Sequence, residues 1–457
     1  MRVADVAGMN RYLLLACVST MTTAALATGC TVVNPGSDAG PSDSPDTNPA
    51  TGDAGAKDTA TSEGDAAPDT TPTDDAGPDT NVVSDTGPST EGGSGSATSC
   101  STGVLFAGNP TYDGAPLDRP TSGTGIHADP PLQWQNMVFT GGRVYTRDDG
   151  ELWSVDLSVA APVETRVAGK NSDKLAYAPT GPCATALMAK IEGIGALADK
   201  SIVLTDSIGN AVLHVSNPTT SACTVEIWAG NSTTDDDLGA VKNPGDAVGP
   251  GATAKFDGPG ALVTDDAGNA YVWDSNNRKI KKVASDSAHT VSTLVKIPSD
   301  GPDNITNMTR IGSNIYAMGQ DGVSAFVLSI DTGSGAITTV IKGGGGVFPP
   351  VDSTTYPAIS GITTDGTGLM ISGKGYVWYL TTTGTLTHIA GNGNPIDFPP
   401  SGYDSKASHP ALDVVLGNKS VGSISGSQDY ITYFGGSLYF RGKGGGTATY
   451  VEKFSCP

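Results

Sequence analysis

Residues 104–108 read VLFAG, a short run of β-prone residues that is closed by a glycine. The same design recurs downstream at 165–169 (TRVAG), 226–230 (EIWAG), 340–343 (VIKG) and 387–391 (THIAG). The five closing glycines lie 61, 61, 113 and 48 residues apart, and 113 fits two units with one glycine missing. A fixed period of this size predicts a repeat architecture. The first run is an orphan, because no strands precede it to complete its unit.

The clearest unit is 256–296, which begins FDGPGALVTDDAGNAYVWDSNNRKIKKV. Its β-prone stretches are 261–264, 270–273, 278–284 and 291–296, separated by turns rich in Gly, Asn, Asp and Ser. Four short antiparallel strands in succession are typical of one blade of a β-propeller.

This unit resembles the NHL repeat. The matching positions are Pro259, Asp265, Gly268, Asn269, Tyr271, Val272, Asp274, Asn277, Arg278, Ile280 and Val283. Residues 193–216 keep Asp206 and Asn210 of the pattern, and residues 137–157 keep the turn glycines and Tyr145. The resemblance implies an NHL-like propeller over 100–457, with detailed agreement in about one blade.

The strand rhythm predicts five complete blades, at 131–169, 187–230, 256–296, 304–343 and 358–392. A sixth begins near Tyr430, with strands at 430–434, 437–441 and 449–454, and then lacks a fourth strand. We expect the orphan run 103–107 to supply that strand, because closure removes two exposed sheet edges. The predicted fold is therefore all-β, a six-bladed β-propeller. A degenerate seventh blade near 408–426 is the alternative.

The N-terminus is typical of an export signal. Arg2 and Arg11 precede the apolar stretch 12–27, which is too short to span a membrane stably. It ends in LATGC, which resembles the cleavage box of bacterial lipoproteins, although Ala27 stands where that family prefers leucine. The resemblance implies removal of residues 1–29, lipidation of Cys30 and a membrane partner through the lipid. By resemblance to Gram-negative lipoproteins, Thr31 rather than Asp after the cysteine implies the outer membrane, at its periplasmic or outer face.

Residues 30–99 are predicted to form a disordered tether. From 31 to 99 the chain has no aromatic residue, Leu, Ile or Met, and it carries thirteen Asp or Glu against Lys57 alone. Such a composition buries too little apolar surface to offset the entropy of ordering. As a flexible coil this segment spans roughly 45 Å. The acidic balance of the whole chain, −21, argues against a nucleic-acid partner.

Four cysteines lie beyond the export segment, an even number that suits an oxidising compartment. Cys456 ends the third strand of the last blade and Cys100 precedes its fourth, so a disulfide there would clamp the ring. Cys183–Cys223 follows by elimination. It requires the connector that holds Cys183 to wrap back, because Cys223 lies in a turn on the other face.

No serine-hydrolase elbow, His-Glu-x-x-His motif, Walker loop or dinucleotide fingerprint is present in the sequence. The five histidines are scattered over both faces and the outer strands, which does not indicate a histidine metal site. Polar residues do recur where the inner strands begin, and converging oxygen ligands suit Ca²⁺. The candidates for a cation at this channel mouth are Asn136, Glu192, Asp257, Asn307 and Asp429. The alternative is that they cap strands and hold water.

Aromatic residues in the long connectors form a candidate ligand face. They include Tyr112, Trp134, Tyr177, Tyr356 and Tyr403. Amid Gly, Pro and Asp they are typical of a protein, peptide or glycan surface, or of residues that pin loops to the blades. With no catalytic motif and no established cofactor, the sequence favours a binding or scaffolding module. The competing hypothesis is a lyase or lactonase-type enzyme with a cation in the channel.

Overall fold

The computed structural model describes residues 99–108, 122–124, 135–148, 150–157, 163–169, 177–230, 243–321, 324–343, 359–373, 375–393, 408–416, 430–443 and 449–456. The predicted signal segment, Cys30 and the tether up to residue 98 lie outside these residues. Within the described ranges, no helix has the length and apolar character needed to cross a membrane.

Apart from one turn of 3-10 helix at Ala411–Asp413, the described elements are β-strands. In chain order they are β1 (Thr102–Gly108), β2 (Ser122–Thr124), β3 (Gln135–Thr140), β4 (Arg143–Asp148), β5 (Glu151–Asp156), β6 (Val163–Ala168), β7 (Gly181–Pro182), β8 (Ile191–Ala196), β9 (Ile202–Asp206), β10 (Ala211–Ser216), β11 (Thr224–Gly230), β12 (Pro259–Thr264), β13 (Ala270–Asp274), β14 (Lys279–Val283), β15 (Val291–Lys296), β16 (Asn304–Ile311), β17 (Asn314–Gln320), β18 (Ala325–Asp331), β19 (Ile337–Gly343), β20 (Gly361–Thr364), β21 (Gly368–Gly373), β22 (Tyr376–Thr381), β23 (Leu386–Ala390), β24 (His409–Pro410), β25 (Tyr430–Phe434), β26 (Ser437–Lys443) and β27 (Thr449–Ser455).

The strands form six antiparallel sheets, and five of them contain four strands that follow one another along the chain. The sixth contains β25, β26, β27 and then β1, with the short β24 at its outer edge. The first strands of the sheets contact one another in cyclic order around a channel. The fold is a six-bladed β-propeller, which confirms the prediction. Residues 408–416 form β24 and the 3-10 turn instead of a seventh blade, and 417–429 lie outside the described residues.

The two ends of the ring differ in the turns and connections that they carry. The connector face is the end where the inner strands begin, and it also carries the turn between the second and third strands of each blade. The opposite face carries the remaining turns, such as Gly141–Gly142 between β3 and β4.

The core of the propeller lies between neighbouring blades. Tyr271 and Trp273 of blade 3, for example, pack in one buried cluster with Phe326 and Leu328 of blade 4. Alternate residues of each strand face the two neighbours, so middle strands such as β13 (AYVWD) and β22 (YVWYLT) carry apolar residues on both sides. Burial of each such large side chain stabilises the fold by about 1.5–3 kcal/mol.

The N-terminal strand closes the ring. β1 pairs with β27 from Gly103 opposite Phe454 to Gly108 opposite Tyr450. The Cys100–Cys456 disulfide stands beside this pairing, on the opposite face, where an unbroken blade has its last turn. Three aromatic contacts add to the closure: Phe139 of blade 1 stacks on Phe434, Phe434 stacks on Tyr439, and Tyr439 meets Phe106 of β1 edge-on.

The closing glycines of the repeat mark the place where the chain leaves an outer strand. Gly169, Gly230 and Gly391 all have φ between 80° and 98°, a left-handed conformation that favours glycine. A Cβ atom at Gly230 would collide with the carbonyl oxygen of Asn210, in the turn between the second and third strands of the same blade. The missing glycine belongs to blade 3, where the chain runs on through Ile297, whose N–H donates to the carbonyl oxygen of Arg278.

Several connectors run down the outer rim of the blade that they enter. β7 pairs with the start of β11, β2 with the start of β6, and β24 with the start of β1. This path brings Cys183 to Cys223 on the opposite face, where the two form a disulfide. The wrapped connectors also cover strand edges that would otherwise be open to pairing with other chains.

Gly230→Ala should lower the free energy of unfolding by at least about 3 kcal/mol. The left-handed conformation alone costs a residue with a Cβ about 1–2 kcal/mol, and the collision with the Asn210 carbonyl adds to it. Denaturant titration of the purified chain measures the change. Gly142→Ala is the matched control, because Gly142 also has a positive φ, 77°, but has open space at the Cβ position. Equal losses in the two variants would refute the steric part of this account.

Candidate functional site

The channel mouth on the connector face is built from bulges in the inner strands. The pairing of β3, β8 and β16 with the next strand skips one residue near the start of each strand, namely Asn136, Glu192 and Thr306. β12 skips two residues at the same level. A bulge inserts a residue that is left out of the pairing between strands, so its side chain can point into the mouth instead of packing between blades.

Four side chains of blades 1 and 2 meet at this mouth, and we call them the mouth corner: Asn136, Arg147, Lys190 and Glu192. The Asn136 amide nitrogen donates to the Glu192 carbonyl oxygen at 2.9 Å. Arg147 donates to the carbonyl oxygen of Ile191 and binds Glu192 Oε2 at 2.9 Å. Lys190 Nζ lies 2.7 Å from Glu192 Oε1. Arg147 is 3% exposed, whereas Glu192 and Lys190 are partly open to solvent.

The other cation candidates are held by the protein in different ways. The carboxylate of Asp257 accepts a hydrogen bond from the side chain of Asn276 at 2.8 Å. Asn307 accepts from the N–H of Met308. Asp429 lies outside the described residues. Among the residues that the structure describes, no group of three or more His, Cys, Asp or Glu is arranged to hold a metal ion.

The described histidines lie away from the mouth. His214 and His388 are on β10 and β23, His289 is in a turn of the opposite face, and His409 is on the rim strand β24. His214 and His289 stack on the two sides of Trp228. His127 is not among the described residues.

Two buried carboxylates fix the connectors to the face. Asp206, at the end of β9, accepts hydrogen bonds from the N–H groups of Ala189, Lys190 and Gly209 at 2.7–3.0 Å. Burial raises the pKa of Asp206, and these N–H donors oppose that rise. Through this carboxylate, blade 2 holds the backbone next to Glu192 and so positions the mouth corner.

Asp274 holds blade 3 in the same way. It accepts from the N–H of Asp257, from the side chain of Asn277 and from the fully buried Lys281. Asn210 adds a link between blades, because its Oδ1 accepts from the N–H of Gly258 at 2.7 Å. The resemblance to the NHL repeat had marked Asp206, Asn210 and Asp274, and the structure gives them this connector-binding role.

Of the predicted aromatic ligand face, the structure describes Tyr177. This side chain is 1% exposed and packs against Gly209 under a turn of blade 2. Tyr177 therefore pins a connector to its blade, which is the alternative to a ligand-binding role that the sequence had left open. Tyr112, Trp134, Tyr356 and Tyr403 lie outside the described residues.

Sequence reasoning missed Arg147 and Lys190 of the mouth corner. An arginine at the end of a strand is more often a solvated residue, and nothing local to it predicts its burial. The wrapped connectors did have a signal in the sequence: 181–186 reads GPCATA and 249–254 reads GPGATA. In both, the N–H groups of the Thr and of the last Ala donate to the carbonyl oxygen of the Pro, closing the same turn.

No family model matches this chain, and no curated protein sequence matches it. Among solved structures, virginiamycin B lyase from Staphylococcus aureus is similar at 11% identity, over 73% of this chain and 98% of that one, with a TM-score of 0.41. A streptogramin B lyase is similar at 14% identity, over 78% and 98% of the two chains, with a TM-score of 0.41. At these values no statement about function rests on the likeness.

Glu452 is a buried titratable group that belongs to none of the ion pairs described above. It lies on β27 opposite Phe440 of β26, in the closing blade, and is 4% exposed. Burial raises the pKa of Glu452 to about 8. The folded chain therefore keeps this carboxyl protonated at neutral pH, whereas the unfolded chain loses the proton near the ordinary value of 4.5.

This difference makes the stability of the closing blade depend on pH. The free energy of unfolding should fall as the pH rises from about 4.5 to about 8 and level off above, by up to roughly 5 kcal/mol from this group. Glu452→Gln should remove that fall and make the chain more stable than the wild type at pH 8. Thermal or denaturant unfolding between pH 4.5 and 9 measures it.

Glu151→Gln is the control for this prediction. Glu151 is also buried, but its carboxylate binds Arg166 at 2.9 Å and accepts from Trp153. Loss of those partners should destabilise the chain rather than stabilise it. A Glu452→Gln variant that is less stable than the wild type at pH 8 would show that the account of Glu452 is wrong.

Proposed function

We propose that this protein is a lipid-anchored module of the outer membrane, outside the cytoplasm, whose propeller binds a protein, peptide or glycan ligand on its connector face. The observation that carries the proposal is the unequal build of the two faces. The chain passes from blade to blade through long segments that leave and re-enter the ring at the connector face, for example between β11 and β12 and between β23 and β25, whereas the opposite face has tight turns such as Gly141–Gly142 and Gly435–Gly436. Long irregular segments on a rigid scaffold are where binding residues concentrate.

The point where the chain enters the propeller also supports the connector face as the binding surface. Cys100 lies on the opposite face, at the start of the closing strand. The chain thus enters the propeller at its turn-bearing end, and the connector face lies at the other end of the ring. The two disulfides suit a compartment that is oxidising.

The competing hypothesis is an enzyme of the lyase or lactonase type with Ca²⁺ in the channel. The described candidates for cation ligands do not favour it, because the carboxylate of Glu192 already binds Arg147 and Lys190. Binding is therefore the function that the geometry supports best.

Anchoring is tested by metabolic labelling with palmitate. Cys30→Ala should abolish labelling of the chain and release it from the membrane fraction, because the proposal places the lipid on that thiol. Cys17→Ala is the control and should keep both. Full labelling of Cys30→Ala would refute the anchor.

Ligand binding on the connector face is tested by photo-crosslinking in intact cells. A photoreactive residue in place of Asn276, which is exposed on the connector face of blade 3, should form adducts with envelope or extracellular material. The same residue in place of Ser287, exposed on the opposite face of that blade, should form few. Equal yields at the two positions, or none at Asn276, would contradict the proposal.

A further inference from the structure

The mouth corner contains a hydrogen-bond acceptor that lacks a donor. Asn136 is 7% exposed, and its Oδ1 has no hydrogen-bond partner among the described residues, although its amide nitrogen is bound by the Glu192 carbonyl oxygen. A buried acceptor left unpaired is costly to a fold. Asn136 is also held at φ 49°, so the strand places this amide at the mouth in a conformation that a glycine would adopt more easily.

The charged side chains around this acceptor keep unused hydrogen-bonding capacity. Each oxygen of Glu192 receives one cationic group, Arg147 on Oε2 and Lys190 on Oε1, so each has a lone pair left. Lys190 has further N–H groups beyond the one directed at Glu192. Glu192 and Lys190 are partly exposed. The two carboxylate oxygens of Glu192 can therefore accept hydrogen bonds from a ligand, and the Lys190 ammonium can donate one.

This set fits a neutral hydroxyl-bearing ligand better than an ion. A metal cation would be repelled by Arg147 and Lys190, which lie within 2.9 Å of the carboxylate that would have to bind it. An anion would face Glu192 and the lone pairs of Asn136. A hydroxyl group both donates and accepts, so adjacent hydroxyls can donate to Asn136 Oδ1 and to Glu192 and accept from Lys190.

We propose that the mouth corner binds a saccharide through adjacent hydroxyl groups, with Asn136 Oδ1 as the acceptor that selects for a donor. This inference rests on the proposed function, because it names the ligand class for the connector face. Asn136 is assigned a specificity-determining role, and Arg147 is assigned the role of holding Glu192 in place.

The test uses the full chain and three neutral trisaccharides: maltotriose, cellotriose and triacetylchitotriose. Saturation-transfer NMR detects binding, and calorimetry measures affinity. At least one trisaccharide should bind, and Asn136→Gly should weaken it about 5- to 10-fold, the effect of one lost hydrogen bond. The variant should fold, because glycine suits the left-handed conformation at this position.

Asn210→Gly is the matched control. Asn210 has nearly the same backbone conformation, φ 54°, but its Oδ1 is already paired with the N–H of Gly258. It should lower the unfolding temperature and leave saccharide affinity unchanged. Saccharide binding that Asn136→Gly does not weaken, binding by none of the three, or binding of Ca²⁺ or peptides alone would overturn the inference. Photo-adducts at Asn276 in the absence of saccharide binding would leave the proposed function standing and remove only the ligand class.

Discussion

Closure of the ring by β1 is the constraint on which the rest of the propeller depends. Each blade buries its two faces only against its neighbours, so an open ring would expose the faces of two blades and the edge of β27 together. β1 pairs with that edge, although the residues of β27 that it contacts lie about 350 positions further along the chain. The stacked rings of Phe139, Phe434 and Tyr439 carry the contact on into blade 1. In the chain-entropy model, a cross-link between residues 356 apart, as in Cys100–Cys456, contributes roughly 6 kcal/mol.

With the ring closed, the connector face becomes a surface of fixed shape. The buried carboxylates of Asp206 and Asp274 and the amide of Asn210 bind the last residues of a connector, just before the inner strand begins. The bonds of Asp206 to the N–H groups of Ala189 and Lys190 place Glu192 where Arg147 and Lys190 can bind it. Local hydrogen bonds on one blade thus determine the geometry of a mouth that several blades share.

The strands, the blade count and the closure could be predicted from sequence because they depend on local pattern. Each strand is bounded by turn residues, and the closing glycines Gly169, Gly230 and Gly391 adopt a left-handed φ, so they keep the register of the repeat visible. The first cysteine pair followed from the blade count, since both residues flank a single missing turn. None of this needed knowledge of how the connectors run.

The mouth corner could be predicted only in part. Asn136 and Glu192 stood out as polar residues at strand starts, but the bulges that free them depend on backbone pairing with the next strand. Arg147 is buried because residues 191 and 192 of the next blade cover it, a contact between distant parts of the chain. The rim path of the connector that carries Cys183 is likewise a matter of tertiary packing. Its one readable trace is the pair of GPxATA runs.

The position of the Cys100–Cys456 disulfide also has a mechanical consequence. A pull on the N-terminal segment would load β1 at its first residues and peel it from β27 one pair at a time, the weakest way to pull a strand from a sheet. The disulfide lies ahead of β1, between the pulling point and the strand, and joins that point to the C-terminal end of β27. Force entering at Cys100 is therefore shared between two strands of the closing blade, and the propeller can be held under tension without opening at its own seam.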